Sequence, residues 1–208
     1  LGPQPHFGFA PAMSVTAWLV AAIYAIESQI FPQLPTRWTL GVVGAAAVLA
    51  AFFFPGGPMP VTASAWLAVH LAFGVACYGL FGIAVVHAWF MTRAETRIRH
   101  AQDPDSGLPL LTLERLTYRF VGAGFVLLSA TLLAGWYFSE TLNHRWVWDH
   151  KTTFSLLSWI TMGVLLWGRW RLGWRGRVAV RTLYVAAGFL LLGYVGSRFV
   201  LEVMLQRG

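Results

Sequence analysis

The sequence is dominated by apolar runs close to twenty residues long, broken by short polar or proline-rich intervals. Read in chain order they cover Ala12–Ile30, Trp38–Phe54, Ser64–Met91, Leu116–Phe138, Thr152–Trp167 and Val178–Leu205. A helix rises about 1.5 Å per residue, so each run is near the length needed to cross the roughly 30 Å hydrocarbon layer of a bilayer. In lipid every backbone N–H and C=O must be satisfied within the chain, which leaves helices as the form for such runs. Only 11% of the 208 residues are charged, against roughly 25% in soluble domains. A soluble domain of this length could not enclose six such runs. The expected fold is an all-α, polytopic transmembrane bundle of about six spans, with residues 1–208 forming a single transmembrane domain.

Residue 1 is Leu rather than Met, and no charged segment precedes an apolar one. The sequence therefore reads as a fragment whose natural start, with any earlier spans, lies upstream. The formal net charge of +7 does not indicate nucleic acid, because the basic residues cluster beside apolar runs. Arg37, then Arg93, Arg97, Arg99, Arg115 and Arg119, then Arg169, Arg171, Arg175, Arg177 and Arg181 follow the first, third and fifth runs. The other side carries Arg145, Lys151, Arg198 and Arg207. By the positive-inside pattern the first set is cytoplasmic, with residues 92–113 as a cytoplasmic loop. The 55–61 loop, the 143–151 segment and the C-terminus then face outward. The expected location is the bacterial cytoplasmic (inner) membrane, with the lipid bilayer as the first partner.

Soluble-enzyme motifs are absent: there is no Gly-rich phosphate loop, no HExxH and no GxSxG. The single cysteine, Cys77, excludes an internal disulfide framework and a CxxC site. Carboxylates within the runs are Glu27 and Glu202, both near ends where they can reach the interface. That is too few for a chain of proton carriers, which weighs against a transporter subunit.

Histidine is the informative residue. His70 lies about six residues, roughly 9 Å, inside the third run. Its helical face continues through Phe73, Gly74, Cys77, Tyr78 and Phe81 at i+3, i+4, i+7, i+8 and i+11 spacing. Two readings fit: an axial heme ligand on a face suited to a flat porphyrin, or a helix-packing face with a hydrogen-bonded His. His87, about 25 Å further along, cannot share an iron with His70 and reads as an interfacial residue.

The densest polar and aromatic segment is Asn143-His144-Arg145-Trp146-Val147-Trp148-Asp149-His150-Lys151. His144 and His150 lie on the same side as His70, as ligand candidates or as solvated loop residues. Trp146 and Trp148 alternate, so in an extended loop both face one way, for stacking or for interfacial anchoring. Arg145 and Arg198 are cations on that side, able to pair with propionates. Arg198 also sits four residues before Glu202, at the spacing of a simple ion pair.

The run WVWDHKTTFSLLSW at 146–159, followed by GWRGR at 173–177, resembles the cytochrome c assembly superfamily of heme-handling membrane proteins. HLAFGVACYGLFGIAVVHA at 70–88 is similar to that superfamily's helix beginning with His. The resemblance extends from about residue 64 to 208. It implies a tryptophan-rich platform for heme beneath outward His ligands, and presentation of heme to apocytochrome c or to other assembly factors. Carried over, it makes His70 an axial ligand and Trp146, Trp148 and Asp149 the platform. His144 is then the candidate second iron ligand, with Arg145 and Tyr78 as further heme contacts. The implied group is heme b, and the protein is an assembly factor rather than a self-contained catalyst. Departures from the pattern are a platform of two Trp, His150 in place of Pro, Trp167 in place of a membrane His, and Glu202-Val-Met-Leu-Gln-Arg-Gly208 without a second outward His. They place the resemblance closest to the smaller branch of YpjD and HemX types. They also leave open a non-enzymatic scaffold or regulator of the same fold that has lost heme ligation.

Overall fold

The computed structural model of the chain describes residues 6–32, 34, 38–58, 65–100, 109–141 and 149–196. Within them the chain forms six helices: α1 Phe9–Ile30, α2 Trp38–Phe53, α3 Ala65–Arg99, α4 Leu110–Thr141, α5 His150–Leu172 and α6 Gly176–Leu191. A π-helical turn, Leu192–Gly196, continues α6. The only sheet among the described residues is a two-residue antiparallel pair, β1 His6–Phe7 with β2 Gly57–Pro58. The all-α architecture expected from the apolar runs is the one observed. Four helices are long and apolar enough to span a bilayer: α1, α3, α4 and α6 with its π turn. The sixteen residues of α2 are apolar but short, and α5 is diluted by Ser, Thr and Arg.

The polar interval between the third and fourth runs is largely helical. α3 runs on to Arg99 and α4 resumes at Leu110, while 101–108 lies outside the described residues. Ala, Glu, Arg and Met in 91–99 are good helix formers. Once a long helix is nucleated, extending it into water costs little.

Packing centres on the antiparallel pair α3–α4; α5 packs on α4 and α6, α6 packs on α3, and α1, paired with α2, packs on α3 and on the π turn after α6. One core joins Cys77, Phe81, Ala84 and Ala88 of α3, Val121 and Leu128 of α4, Met162 and Leu165 of α5, and Leu183, Ala186 and Leu190 of α6. A second joins Val20 and Tyr24 of α1 to Ile83, Phe90 and Met91 of α3 and Leu113 of α4. Lipid offers helices no hydrophobic drive to associate, so close approach and interhelical hydrogen bonds matter more. Glycines provide the approach. A Cβ at Gly124 would lie 2.7 Å from the Phe81 ring, and one at Gly82 would lie 2.6 Å from Val20 Cγ2. Between α4 and α5, Phe125 stacks on Trp159 at 5.5 Å, and the Trp159 indole N–H donates to Ser129 Oγ at 2.8 Å. Between α5 and α6, Ser158 Oγ donates to the Ala186 carbonyl at 2.8 Å.

Gly124→Val is expected to destabilise the bundle by about 1–3 kcal/mol through overpacking against Phe81. Gly122 has open space around its missing Cβ, so Gly122→Ala is expected to be neutral or slightly stabilising. Thermal unfolding of the two detergent-solubilised variants checks the contrast.

Candidate functional site

The contacts along α3–α4 fix which residues share an end. Gly135 abuts His70, Thr131 abuts Gly74, and Gly124 abuts Phe81; Phe120 faces His87. The start of α3 therefore lies with the end of α4, and hence with the start of α5. The π turn joins this end, because Gly193 meets Phe154, Ser155 and the Lys151 carbonyl. His70, Asp149 and His150 thus belong to one end of the bundle. Arg93, Arg115, Arg169, Arg171, Arg175 and Arg177 belong to the other, which we term the basic end.

At the first end His70 is half-buried. Its Nδ1 is fully enclosed with no hydrogen-bond partner among the described residues. The ring fits against α4 because residue 135 is glycine: a Cβ there would stand 3.4 Å from His70 Cε1. Imidazole is a standard axial-ligand type for heme iron, and with Nδ1 enclosed by protein the ligating nitrogen would be Nε2. The rest of the predicted porphyrin face is occupied by protein. Cys77 and Phe81 are buried in the main core, and the Cys77 thiol donates to the Gly124 carbonyl at 3.5 Å. The Tyr78 hydroxyl donates to the Leu190 carbonyl, and its ring meets Tyr194 edge-on at 6.4 Å. Leu190 precedes the π turn, where the i→i−4 ladder is interrupted, so Tyr78 supplies a donor to a carbonyl at that break.

Asp149 is the N-cap of α5. Its carboxylate accepts from the Thr152 amide and the Thr152 hydroxyl, both at 2.8 Å. It satisfies a backbone donor that the helix start leaves unpaired. His150 beside it is exposed. His144, Arg145, Trp146 and Trp148, and also Arg198 and Glu202, lie outside the described residues. The structure thus brings His70 and Asp149 to the same end. Among the described residues no three His, Cys, Asp or Glu side chains gather as a metal site.

Two polar clusters at the basic end were not anticipated from sequence. Glu114 is 7% exposed and pairs with Arg169 and, at 3.3 Å, with Arg175. Arg169 also lies over the Tyr118 ring at 4.7 Å, and the Tyr118 hydroxyl donates to the Trp174 carbonyl at 2.9 Å. This network ties α4 to the Gly173–Gly176 turn. That turn needs its glycines: Gly173 (φ +64°) and Gly176 (φ +58°) adopt the left-handed conformation, which costs a residue with a Cβ about 1–2 kcal/mol. Trp174 then folds back onto Gly168, where a Cβ would approach its ring to 2.5 Å.

The second cluster corrects the reading of Glu27 and His87 as interfacial. His87 is fully buried and Glu27 is 6% exposed. They meet at 2.9 Å, Nε2 to Oε2. α1 runs parallel to α3, with Leu19 and Val20 against Gly79 and Gly82, so a carboxylate near the end of α1 reaches an imidazole well inside the longer helix. The sequence signal was present, since an ionisable residue in an apolar helix needs a partner. One-dimensional spacing could not name that partner across 60 residues.

Comparison with known proteins agrees with this architecture. The model of the family described as "Cytochrome C assembly protein" matches residues 4–205. The chain belongs to that family. The chain is 30% identical to the "Uncharacterized 28.8 kDa protein in nifR3-like 5'region" of Azospirillum brasilense, over 96% of this chain and 77% of that protein. It is 27% identical to the inner membrane protein YpjD of Escherichia coli K12, over 92% of this chain and 73% of YpjD. A 33% identical match to the cytochrome c biogenesis protein CcsA of Gloeobacter violaceus covers 44% of this chain and 27% of CcsA. No solved structure matches. The expected family is therefore the observed one, and a membrane location follows from the apolar helices and the YpjD likeness together.

Glu114→Ala is expected to cost about 2–4 kcal/mol, because it leaves the partly buried Arg169 without its counter-charge. Arg175→Ala, at a side chain 63% exposed, is expected to cost less than about 1 kcal/mol. Chemical denaturation of the two variants in parallel tests the ordering. Asp149→Ala is expected to cost about 1 kcal/mol with partial recovery by Asp149→Asn; circular dichroism melts read it out.

Proposed function

We propose that this cytochrome c assembly family member binds or presents heme b at the end of the bundle that carries His70, facing outward from the bacterial inner membrane. His70 is the axial ligand, Trp146 and Trp148 the stacking platform, His144 the second iron ligand, and Arg145 a partner for a propionate. Asp149 holds the platform by capping the helix that follows it. Heme is here cargo, bringing an iron whose axial positions accept imidazole. The chain's own part is to orient the imidazole and to exclude lipid. The observation that carries this reading is the half-buried imidazole of His70, oriented against Gly135 with Nδ1 enclosed by protein, in a chain of an assembly family. The basic residues gathered at the opposite end support the outward assignment through the positive-inside rule. Apocytochrome c or other assembly factors are the proposed partners, because a chain with one buried thiol does not itself reduce a heme-attachment dithiol.

The alternative is a non-enzymatic scaffold of the same fold. It draws on the packing of Cys77 and Phe81 into the core, which leaves the inner part of the predicted porphyrin face to protein.

Purified from heme-replete cells, the wild type is expected to show stoichiometric Soret and α bands in the reduced-minus-oxidised spectrum. His70→Ala is expected to abolish them while eluting as a folded protein. Gly135→Leu, which crowds the imidazole from α4, is expected to weaken them. A wild type that stays colourless with excess heme would sink the heme reading, whereas the scaffold predicts partner co-purification that His70→Ala leaves unchanged.

A further inference from the structure

The Glu27–His87 pair takes no part in the proposed heme site, which lies at the other end of α3. Its surroundings are apolar. From α3, Phe90 lies against the imidazole at 6.4 Å, and from α4, Phe120 lies at 5.5 Å. Tyr24, one turn before Glu27 on α1, turns its ring to Phe90. Val20, Leu34, Met91 and Leu113 belong to the same buried cluster. Thr117 of α4, also buried, donates to the Leu113 carbonyl of its own helix. Helix α2, which packs on α1, carries no titratable residue.

Several charged groups of the basic end have other contacts. Glu114 is held by Arg169 and Arg175, Arg93 lies over the Trp89 ring at 4.1 Å, and Glu95 faces Gly176. The carboxylate and the imidazole pair with each other at 2.9 Å, both buried. Glu27 Oε1 and His87 Nδ1 are enclosed without a hydrogen-bond partner among the described residues.

Such a site is electroneutral with one proton shared between the two groups. A second proton leaves a net positive charge, and loss of the proton leaves a net negative one. Either charge is then buried among aromatic and aliphatic side chains, where an uncompensated charge is strongly destabilising. The pair also stands at a mechanical boundary. α1 and α2 form a hairpin that packs on α3 and on the π turn after α6. Along the seam, α1 lays Leu19 and Val20 against Gly79 and Gly82 of α3. Those contacts are apolar, whereas the Glu27–His87 pair is a hydrogen-bonded, ionisable contact across the same seam.

We propose that Glu27 and His87 form a proton-binding site that latches the α1–α2 hairpin to α3, closed with one shared proton and released when a second is gained or the one is lost. Two exposed positions at that end, Gln29 on α1 and Arg115 on α4, take spin labels as cysteine variants, with the buried Cys77 left in place. In the full chain, reconstituted in nanodiscs, the label-to-label distance is expected to be shortest near neutral pH and to lengthen on both the acid and the alkaline side. The double variant Glu27→Gln with His87→Gln replaces the pair with two neutral amides that can still hydrogen-bond. In it the distance is expected to stay constant across the same range.

Each single variant, Glu27→Gln or His87→Gln, strands one ionisable group and is expected to lower the thermal midpoint at neutral pH by on the order of 10 °C. The double variant is expected to recover most of that loss. A wild-type distance that does not respond to pH overturns the proposal, as does a response of equal size in the double variant. A double variant that cannot fold also overturns it, because the pair is then irreplaceable packing rather than a proton site.

Discussion

The antiparallel contact of α3 with α4 is the interaction on which the rest of this structure depends. It holds His70 against Gly135 at one end, Phe81 against Gly124 in the middle, and His87 against Phe120 towards the other. Those contacts are close because residues 124 and 135 have no side chain, and closeness is the chief source of helix association where the solvent is lipid. The other helices assemble around this pair. α5 and α6 add Met162, Leu165, Leu183 and Leu190 to one core, and α1 adds Val20 and Tyr24 to the other.

Polar residues in this bundle are few, and they sit where helices need a bond that packing alone does not provide. Ser158 donates to α6 and Trp159 reaches α4. Tyr78 serves the carbonyl at the π turn. Asp149 caps α5. Several of these lie in the segments that carry the family resemblance, so part of that signature reports how the fold is held together and part reports the site. In the 146–159 run, Ser158 and Trp159 are explained by packing and Asp149 by capping. Trp146 and Trp148 lie outside the described residues, and their platform role belongs to the proposed function.

The two ends of the bundle divide its chemistry. One holds a half-buried imidazole with an enclosed nitrogen and the start of α5, the elements of the proposed heme site. The other holds arginines neutralised in part by Glu114, and a buried carboxylate–imidazole pair on the seam between the α1–α2 hairpin and the remaining helices. α3 is the element common to both, since it carries His70 near its start and His87 seventeen residues later.

The sequence alone determined the fold class, the family and the grouping of basic residues. Each depends on local composition: long apolar runs allow only helices in lipid, and Trp-Val-Trp-Asp with Gly-Trp-x-Gly is a short contiguous pattern. His70 could be singled out in one dimension, because a histidine near the start of an apolar helix stands out against its neighbours, while its half-buried place against Gly135 came from the packing of α3 on α4. The roles of Glu27, His87, Glu114 and Arg169 were decided only by tertiary structure. A helix end looks interfacial in one dimension, yet the neighbour that removes it from water comes from a segment tens of residues away. The extension of α3 to Arg99 was likewise hidden, since charge marks the limit of the membrane and not the limit of the helix.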